Sequence, residues 1–220
     1  MPDFQEDTPL NQMNLKLFPR QKEVIAELCL QVAKPGMIAV EIGSWTGQST
    51  SVIAPIVRTF GGVLYCVDWF KGTPTTHLAD VANQVDIYAK FKQNMREIDV
   101  EDILKVMVMS SDSAARIFQD HLVDFLFIDA DHRYPAVKQD LDLWCPKMRP
   151  TGIICGHDCE VKYDSLTDAQ KSIVCASLDQ DYTRLEAIPG IEGIHAGVVK
   201  AVYDRFGPDY EIDQTIWWRK

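Results

Sequence analysis

Four side chains that can bind a metal ion or move a proton come directly after two apolar segments. Asp129 and Asp131 follow the segment VDFLFI, and His157 and Asp158 follow the segment GIICG. Residues two apart on an extended chain point to the same side, so both carboxylates of the first pair can face one crevice. If the two segments are neighbouring strands, the four groups crowd together, and like charges then need a divalent cation or a shared proton. The pattern therefore predicts a metal site or an acid–base site.

A second group of residues can hold a nucleoside. The loop from Gly43 to Gly47 follows the apolar segment MIAVEI, and its glycines allow a sharp turn and a close approach by a ligand. Asp68 ends the next apolar segment, where a carboxylate can accept hydrogen bonds from both hydroxyls of a ribose. Trp45 stands where a dinucleotide fingerprint requires glycine. The loop and the carboxylate together favour a nucleoside without a pyrophosphate.

The elements that must position these residues alternate along the chain as short apolar segments and longer segments of helical periodicity. This alternation predicts an α/β fold, with a doubly wound, mostly parallel sheet, helices on both of its faces and a C-terminal antiparallel strand. The predicted strands are 37–42, 63–67, 103–109, 123–129 and 152–156, with a terminal pair in 210–219. The predicted helices are 19–34, 48–60, 79–98, 134–148 and 197–206. Ligands bind such sheets at the carboxyl ends of the strands, where both groups of polar residues lie.

The stretch 160–194 is polar and irregular, with one predicted helix near 168–178. A plain connection of about 35 residues is uncommon in a compact domain. We expect an insertion that either closes over the site as a lid or contacts a second copy of the chain in a homodimer. The chain is otherwise predicted to be one domain, residues 1–220, with an N-terminal helix at 19–34.

Composition excludes several classes of function. The 22 Lys and Arg residues and 32 Asp and Glu residues give the 220-residue chain a net charge of −10, which disfavours nucleic acid as a partner. No run reaches the roughly 18 apolar residues of a membrane span, so we expect a soluble, cytoplasmic protein without a membrane partner. A zinc site at Cys155, His157 and Cys159 would lack a fourth ligand at suitable spacing.

Five motifs resemble those of class I S-adenosylmethionine-dependent methyltransferases, in particular the small bacterial branch related to metal-dependent sugar and catechol O-methyltransferases. The motifs are VEIGSWTGQST, VDWF, SSDSA, FIDADHRYPAVKQDL and GIICGHD. The resemblance covers about residues 37–158, with weaker similarity in HAGVVKAVYDRFG and TIWW. It implies a Rossmann-like methyltransferase fold with a seven-stranded sheet, and S-adenosylmethionine as the cofactor.

The resemblance also implies roles for individual residues. The cofactor-binding residues would be Glu41, Gly43, Ser44, Gly47, Asp68, Trp69, Ser111, Asp112 and Asp129. Glu41 and the two glycines would hold the methionine part, and Asp68 would bind the ribose. Ser111 and Asp112 would contact the adenine, with Trp69 stacked on its face.

The metal ligands implied by the resemblance are Asp129, His157 and Asp158. An imidazole replaces one oxygen ligand of the common carboxylate-rich pattern, which leaves Mg²⁺ open but favours Mn²⁺ or iron more than an all-oxygen site would. Asp131, or alternatively His132, would be the general base that takes the proton from the substrate hydroxyl. The function implied is a metal-assisted O-methyltransferase that acts on a hydroxyl of a small molecule.

Three other functions stay open at this point. A non-haem iron oxygenase could use two histidines and one carboxylate from the same cluster, but the glycine loop and Asp68 would then have no role. A non-catalytic cofactor-binding protein would not need both Asp129 and Asp131. A dehydrogenase is disfavoured by Trp45. The acceptor cannot be read from the sequence, and we expect its selection to lie in residues 73–80 and 160–194.

Overall fold

The computed structural model describes residues 17–74, 76–188 and 190–220. The strands in this part of the chain are β1 (Ile38–Ile42), β2 (Val63–Val67), β3 (Leu104–Met107), β4 (Val123–Ile128), β5 (Met148–Gly156), β6 (Thr183–Ile188), β7 (Ile191–Ile194), β8 (Glu211–Asp213) and β9 (Ile216–Arg219). The helices are α1 (Pro19–Gln31), α2 (Thr50–Thr59), α3 (His77–Gln84), α4 (Ile87–Glu97), α5 (Ser111–Ala115), α6 (Tyr134–Trp144), α7 (Asp168–Ala176) and α8 (Ala196–Phe206). No helix among these residues is long and apolar enough to cross a membrane.

Seven strands form one sheet in the order β3-β2-β1-β4-β5-β9-β8. The first five strands are parallel, β9 runs antiparallel to β5, and β8 runs antiparallel to β9. The doubly wound, mostly parallel sheet with an antiparallel C-terminal strand is therefore confirmed. Strand order reverses between β1 and β4, which places the expected ligand crevice at their carboxyl ends.

Two hydrophobic cores cover the two faces of the sheet. On the central strand β4, Leu126 and Ile128 pack into one core, and Phe125 and Phe127 pack into the other. The first core includes residues of α5, α6 and α8, and the second includes residues of α1, α2 and α4. Because both faces of β4 are covered, every residue of that strand is buried, which explains its almost uninterrupted apolar run.

The helix predicted over 79–98 is wrong as a single element, because the chain forms the two helices α3 and α4 there. Val85 is extended, and the carboxylate of Asp86 accepts a hydrogen bond of 2.9 Å from the backbone N–H of Ala89. An N-cap of this kind starts a new helix and satisfies one of its free N–H groups. The break was therefore encoded by one capping side chain within an otherwise helical pattern.

Other predicted bounds shift by a few residues. The N-terminal helix ends at Gln31 instead of residue 34, and β5 begins at Met148, four residues before the predicted start. The helix predicted to continue to residue 148 ends at Trp144, followed by a short 3₁₀ turn that contains Pro146. Proline lacks the N–H that a continuing helix needs.

The insertion 160–194 contains a 3₁₀ turn, the helix α7 and a separate hairpin of β6 and β7. Its predicted helix near 168–178 is observed at Asp168–Ala176. The hairpin pairs antiparallel and leads directly into α8. The insertion is thus an ordered addition beside the main sheet.

Candidate active site

A cavity of about 780 Å³ lies at the carboxyl ends of β1, β2, β4 and β5. Its wall includes Gly43 after β1, Asp68 after β2, Asp129 after β4 and His157 after β5. The two groups of polar residues that the sequence singles out therefore face one space. A ligand bound at the glycine loop would extend toward the histidine and aspartate cluster.

The glycine loop makes the closest backbone contact in this wall. Gly43 has a φ of 87°, in the region that favours glycine, and an added Cβ would lie 1.9 Å from the carbonyl oxygen of Asp129. The Gly43 N–H donates to the carbonyl of Val67 over 2.9 Å. Only glycine fits this position, because any side chain would separate the loop from the end of β4.

Glu41 lies beneath this loop instead of in the cavity wall. One of its carboxylate oxygens accepts hydrogen bonds from the hydroxyls of Ser44 (2.6 Å) and Thr50 (2.5 Å), and the other is buried without a partner among the described residues. Burial raises the pKa of Glu41 to about 7. Glu41 and Gly47 do not line the cavity, whereas Ser44 does. The observed contacts of Glu41 support the loop from behind.

Asp68 lines the cavity with a carboxylate that two backbone groups hold in place. Its two oxygens accept hydrogen bonds from the N–H groups of Trp45 (2.7 Å) and Phe70 (2.6 Å). Both donors have positive φ angles, 44° and 56°, which are uncommon for aromatic residues. Burial raises the pKa of Asp68 above its ordinary value. Trp69, the next residue, also lines the cavity and is 44% exposed, so a ring face is available to a ligand.

The far end of the cavity is built by α5 and α6. Ser111 starts α5, donates its hydroxyl proton to Asp140 over 2.5 Å and accepts a hydrogen bond of 2.8 Å from the indole N–H of Trp144. Asp112 also lines the cavity, and the Ser110 hydroxyl, followed by other groups including Arg116, lowers its pKa. Burial raises the pKa of Asp140 to about 7.

Asp140 is a cavity residue that the sequence analysis missed. It is 6% exposed and lies on the buried face of α6 with Val137, Leu141 and Trp144. A carboxyl at a position of the helix pattern that should be apolar was the available signal. Burying such a group is costly unless it has a partner, so its position marks a special site.

The three predicted metal ligands lie together. One potential ligand atom from each of Asp129, His157 and Asp158 lies within 4.8 Å of the others. The Nδ1 of His157 is 3.1 Å from an oxygen of Asp158 and 3.8 Å from an oxygen of Asp129. Asp158 has a positive φ of 61°, a strained conformation of the kind that clusters at functional sites.

His132 joins this cluster from the loop after β4. Its Nε2 is 3.0 Å from an oxygen of Asp158 and 3.8 Å from an oxygen of Asp129. Its Nδ1 forms a hydrogen bond of 2.9 Å with the carboxylate of Asp181, which belongs to the insertion. The imidazole is thus held on one side by the insertion and directs its other nitrogen toward the cluster.

His195 and Glu160 are cluster residues that the sequence analysis did not find. The Nδ1 of His195 is 2.6 Å from an oxygen of Glu160, and its ring centroid is 4.5 Å from that of His132. His132, Asp158 and His195 form a second group whose potential ligand atoms lie within 4.8 Å of one another. His195 is the first residue of the weakly similar stretch HAGVVKAVYDRFG, but its place in the site depends on the tertiary contact that α8 makes.

Gly197 explains why α8 can come so close. A Cβ at this position would lie 2.2 Å from the carbonyl oxygen of His132 and 2.3 Å from the backbone nitrogen of Tyr134. The first turn of α8 therefore packs directly on the loop that carries His132. His195, two residues earlier, occupies the N-cap position of this helix, and its side chain is free to face the cluster.

Asp131 lines the cavity, but its carboxylate is engaged by Arg133. The guanidinium Nε donates to both oxygens, at 2.9 Å and 3.1 Å, and one terminal nitrogen of the same guanidinium donates to Oδ2 as well. The backbone N–H of Arg133 donates to Oδ1 over 3.0 Å. Both oxygens of Asp131 are therefore occupied by hydrogen bonds from one neighbouring residue.

The charged groups of the cluster change one another's pKa values. Burial opposes the charge on His157, but Asp158 and Asp129 outweigh it and raise its pKa to about 9. Burial likewise opposes the charge on His132, yet the surrounding carboxylates raise its pKa well above the ordinary value. Burial alone would raise the pKa of Asp158, but the two imidazoles hold it well below its usual range. Positive charge at this point stabilises the carboxylates, and a bound cation would supply it equally.

The cysteines that flank His157 take no part in this cluster. Cys155 and Cys159 are buried, and their thiols contact the backbone carbonyls of Leu126 (3.3 Å) and Val161 (3.7 Å). Within the described residues, the candidate ligand groups contain histidine and aspartate only. A zinc site of the Cys-x-His-x-Cys type has no support in this geometry.

Comparison with known proteins identifies the family of the chain. A family model described as a methyltransferase domain matches residues 40–159, more than half of the chain. A stretch of 44 residues is 41% identical to the uncharacterized protein y4gI of Sinorhizobium fredii, but this match covers 20% of the chain and only 5% of that relative. The short match carries no information about activity.

Solved structures show the same fold at low sequence identity. The O-methyltransferase TomG of Streptomyces achromogenes, in complex with SAM, has a TM-score of 0.59 at 15% identity, covering 93% of this chain and 80% of that one. The SAH-bound methyltransferase PaMTH1 of Podospora anserina has a TM-score of 0.55 at 14% identity, covering 96% and 81%. A precorrin 8W decarboxylase of Methanobacterium thermoautotrophicum reaches 0.52 at 13%, covering 95% and 94%. Because the last protein is named for a different reaction, the fold alone does not define the chemistry.

Proposed function

Because the chain belongs to the methyltransferase-domain family, we propose that it is an S-adenosylmethionine-dependent O-methyltransferase that acts on a hydroxyl of a small molecule with the help of a divalent cation. One observation carries the proposal. The cavity runs from the carboxylate of Asp68 to the cluster around Asp158, so a nucleoside and a proton-accepting group share one space.

The cofactor would lie along the carboxyl ends of β1 and β2. Each oxygen of Asp68 accepts one backbone hydrogen bond and keeps capacity for a second, which suits the two hydroxyls of a ribose. Gly43 lets the loop lie against the end of β4, beside the place where the methionine part would bind, and Ser44 is held at the wall by Glu41. The cofactors named for TomG and PaMTH1 support the choice of S-adenosylmethionine as the cofactor.

Asp129, His157 and Asp158 would hold the divalent cation. Their potential ligand atoms are close enough to meet at one ion, and a set of two carboxylates and one imidazole suits Mn²⁺ or Fe²⁺ and also admits Mg²⁺. When bound, the cation would lower the pKa of an acceptor hydroxyl and replace the positive charge that the imidazoles otherwise supply.

The proton of the acceptor hydroxyl would go to His132. Its Nδ1 is occupied by Asp181, and its Nε2 lies beside Asp158 and Asp129, which raise the pKa of the imidazole while no cation is bound. A cation held by those two carboxylates would lower that pKa again, and the neutral Nε2 would then accept the proton. Asp131, the other candidate base, is held in its ion pair with Arg133. Geometry therefore favours His132 in this role.

The remaining residues would position the acceptor and exclude water. Asp181 and Tyr182 of the insertion line the cavity, and the Tyr182 ring packs on His195 with 5.2 Å between centroids. Methyl transfer requires the acceptor oxygen, the methyl carbon and the leaving sulfur in one line, and much of the rate gain of such a reaction comes from holding them there. The insertion is placed to supply that constraint.

A second function is favoured by one specific observation. His132, Asp158 and His195 form the two-histidine, one-carboxylate combination that non-haem iron oxygenases use. An oxygenase function gives no role to Asp68, the carboxylate proposed to bind a ribose. It also gives no role to the close backbone contact between Gly43 and Asp129. The same argument disfavours a protein that binds the cofactor without catalysis, because the cluster would then have no role.

Calorimetric titration with S-adenosylhomocysteine, with and without Mn²⁺, tests the main proposal. We expect saturable binding of one molecule per chain. Protein stripped with a chelator should lose methyl transfer and regain it with Mn²⁺, once an acceptor is found in a panel of hydroxylated compounds. Absence of S-adenosylhomocysteine binding, together with oxygen consumption by the Fe²⁺-loaded protein, would support the oxygenase instead.

A further inference from the structure

We propose that Asp140 on α6 binds the exocyclic amino group of the cofactor's adenine and makes the site selective for amino-purine nucleosides. This inference rests on the proposed function, because it requires an adenosyl cofactor in the cavity. It assigns a role to a buried carboxyl that the reaction itself does not use. Asp140 would be a specificity-determining residue and not a catalytic one.

Sheet order places Asp140 at the base end of the cavity. The cluster of Asp129 and Asp158 follows β4 and β5, where the methyl group must be delivered. Asp68 follows β2, where the ribose would bind, and Ser111 follows β3 at the opposite side. A nucleoside that points its sulfur toward β4 and holds its ribose at Asp68 therefore extends its base toward Ser111. Asp140 lies there, hydrogen-bonded to Ser111 and in the cavity wall.

Two consecutive hydrogen bonds orient the carboxyl group of Asp140 as a hydrogen-bond acceptor. The indole N–H of Trp144 can only donate, so the Ser111 oxygen must accept from it. The Ser111 hydroxyl proton is then free to point at Oδ1 of Asp140. The chain of three side chains thus fixes the orientation of the carboxyl from behind.

The second oxygen of Asp140 has no donor among the described residues. The side chain is almost fully buried, and the charged groups that act on it, Asp131 and Asp112, are both acidic. No described cation forms an ion pair with it. A buried carboxyl without a cation gains most from a ligand that brings its own N–H donor. The 6-amino group of adenine is such a donor, and it lies at the edge of the base farthest from the ribose.

The experiment pairs one change in the ligand with one change in the protein. Isothermal titration calorimetry measures the affinity of the chain for S-adenosylhomocysteine and for an analogue of it. In the analogue purine replaces adenine, so that the 6-amino group is missing. The parent chain should bind the analogue about tenfold or more weakly, the effect of leaving a buried carboxyl group without its hydrogen-bond donor. Asp140→Leu, which keeps the branching of the side chain but removes both oxygens, should bind the two ligands with equal affinity.

Asp142→Asn is the matched control, because it removes a carboxylate from the same helix that pairs with Lys138 outside the cavity. This variant should discriminate between the ligands as the parent does. Asp140→Asn, whose amide oxygen can still accept from an amino group, should retain part of the discrimination, and thermal unfolding checks that each variant is folded.

Three outcomes would overturn the inference. Equal affinity of the parent for both ligands would show that the amino group is not bound. Undiminished discrimination by a folded Asp140→Leu variant would assign the amino group to another residue. If the parent bound neither ligand, the proposed function itself would fail, and this inference with it.

Discussion

The guanidinium of Arg133 holds both carboxylate oxygens of Asp131, two residues earlier in the same loop. His132 lies between them in sequence, and its ring instead bridges Asp181 and Asp158. The side chains of residues 131 and 133 therefore contact each other, whereas the side chain between them contacts other parts of the site. The outer pair stabilises the loop, and the central imidazole faces the cluster of Asp129 and Asp158.

This division predicts unequal effects of two substitutions. His132→Asn should lower the rate of methyl transfer by about a hundredfold or more, the usual contribution of a general base, while S-adenosylhomocysteine still binds. Asp131→Asn should lower the rate by less than about tenfold, because that carboxylate is already paired. Single-turnover transfer to the best acceptor measures both rates.

His121→Asn serves as the control, since His121 is exposed and outside the cavity. Its rate should match that of the parent. A larger loss from Asp131→Asn than from His132→Asn would return the role of base to Asp131.

Asp68→Ala should weaken binding of S-adenosylhomocysteine roughly tenfold to a hundredfold. The variant loses a partly buried carboxylate that would face the ribose hydroxyls in the proposed complex, and such hydrogen bonds contribute about 1.5–3 kcal/mol. Titration calorimetry gives the affinity directly. Asp209→Ala, which removes an exposed carboxylate paired with Arg219, should bind like the parent. Unchanged affinity in Asp68→Ala would remove the ribose from this position.

Asp140→Asn should change how stability depends on pH. Burial raises the pKa of Asp140 to about 7 in the folded chain. A group whose pKa is raised by folding stabilises the folded chain fully at pH values below its unfolded-state pKa. This contribution to the free energy of unfolding is lost as the pH rises through the folded-state pKa. Between pH 5 and pH 8 the free energy of unfolding of the parent should therefore fall by on the order of 2 kcal/mol relative to that of the variant. The variant has no ionisable group at position 140.

Urea unfolding of both proteins at several pH values measures this difference. The neighbouring variant Asp142→Asn should follow the parent curve. Parallel curves for the parent and Asp140→Asn would mean that the carboxyl titrates as an ordinary exposed group.

The insertion should become more protected when ligands bind. Asp181 and Glu160 already hold the histidines of the site, so S-adenosylhomocysteine and Mn²⁺ should slow hydrogen exchange in β6 and β7. Exchange in α1 should stay the same. Unchanged exchange in the hairpin, together with a change from dimer to monomer when 160–194 is deleted, would identify the insertion as a subunit interface.

The sequence was sufficient for the sheet and for the strand-end residues because both follow local rules. A strand covered on two faces must be apolar, so β4 and the polar residues after it stand out. Asp129, His157 and Asp158 then meet because the carboxyl ends of neighbouring parallel strands meet. The break at Asp86 was missed because a single cap interrupts a helical pattern that is otherwise continuous.

Long-range contacts account for the residues that were missed. His195 and Glu160 approach the cluster only after the insertion folds and α8 packs on the loop after β4. Asp140 was missed because it lies in an amphipathic helix. A single polar residue on the buried face of such a helix looks like an ordinary deviation from the hydrophobic pattern. The pairing of Asp131 with Arg133 depends on side-chain rotamers, which spacing along the chain does not specify.

The missing side chain at Gly197 has a consequence for mutational scanning. Even alanine would force the first turn of α8 away from the backbone of residues 132–134, and His195 would move with it. Gly197 should therefore tolerate substitution as poorly as a residue that touches the substrate, although it contacts none of the reacting groups. In a saturation library scored by activity, loss of activity at position 197 would reflect the short distance between two backbone segments. A second substitution in α8 that restores activity would show that Gly197 has no chemical role.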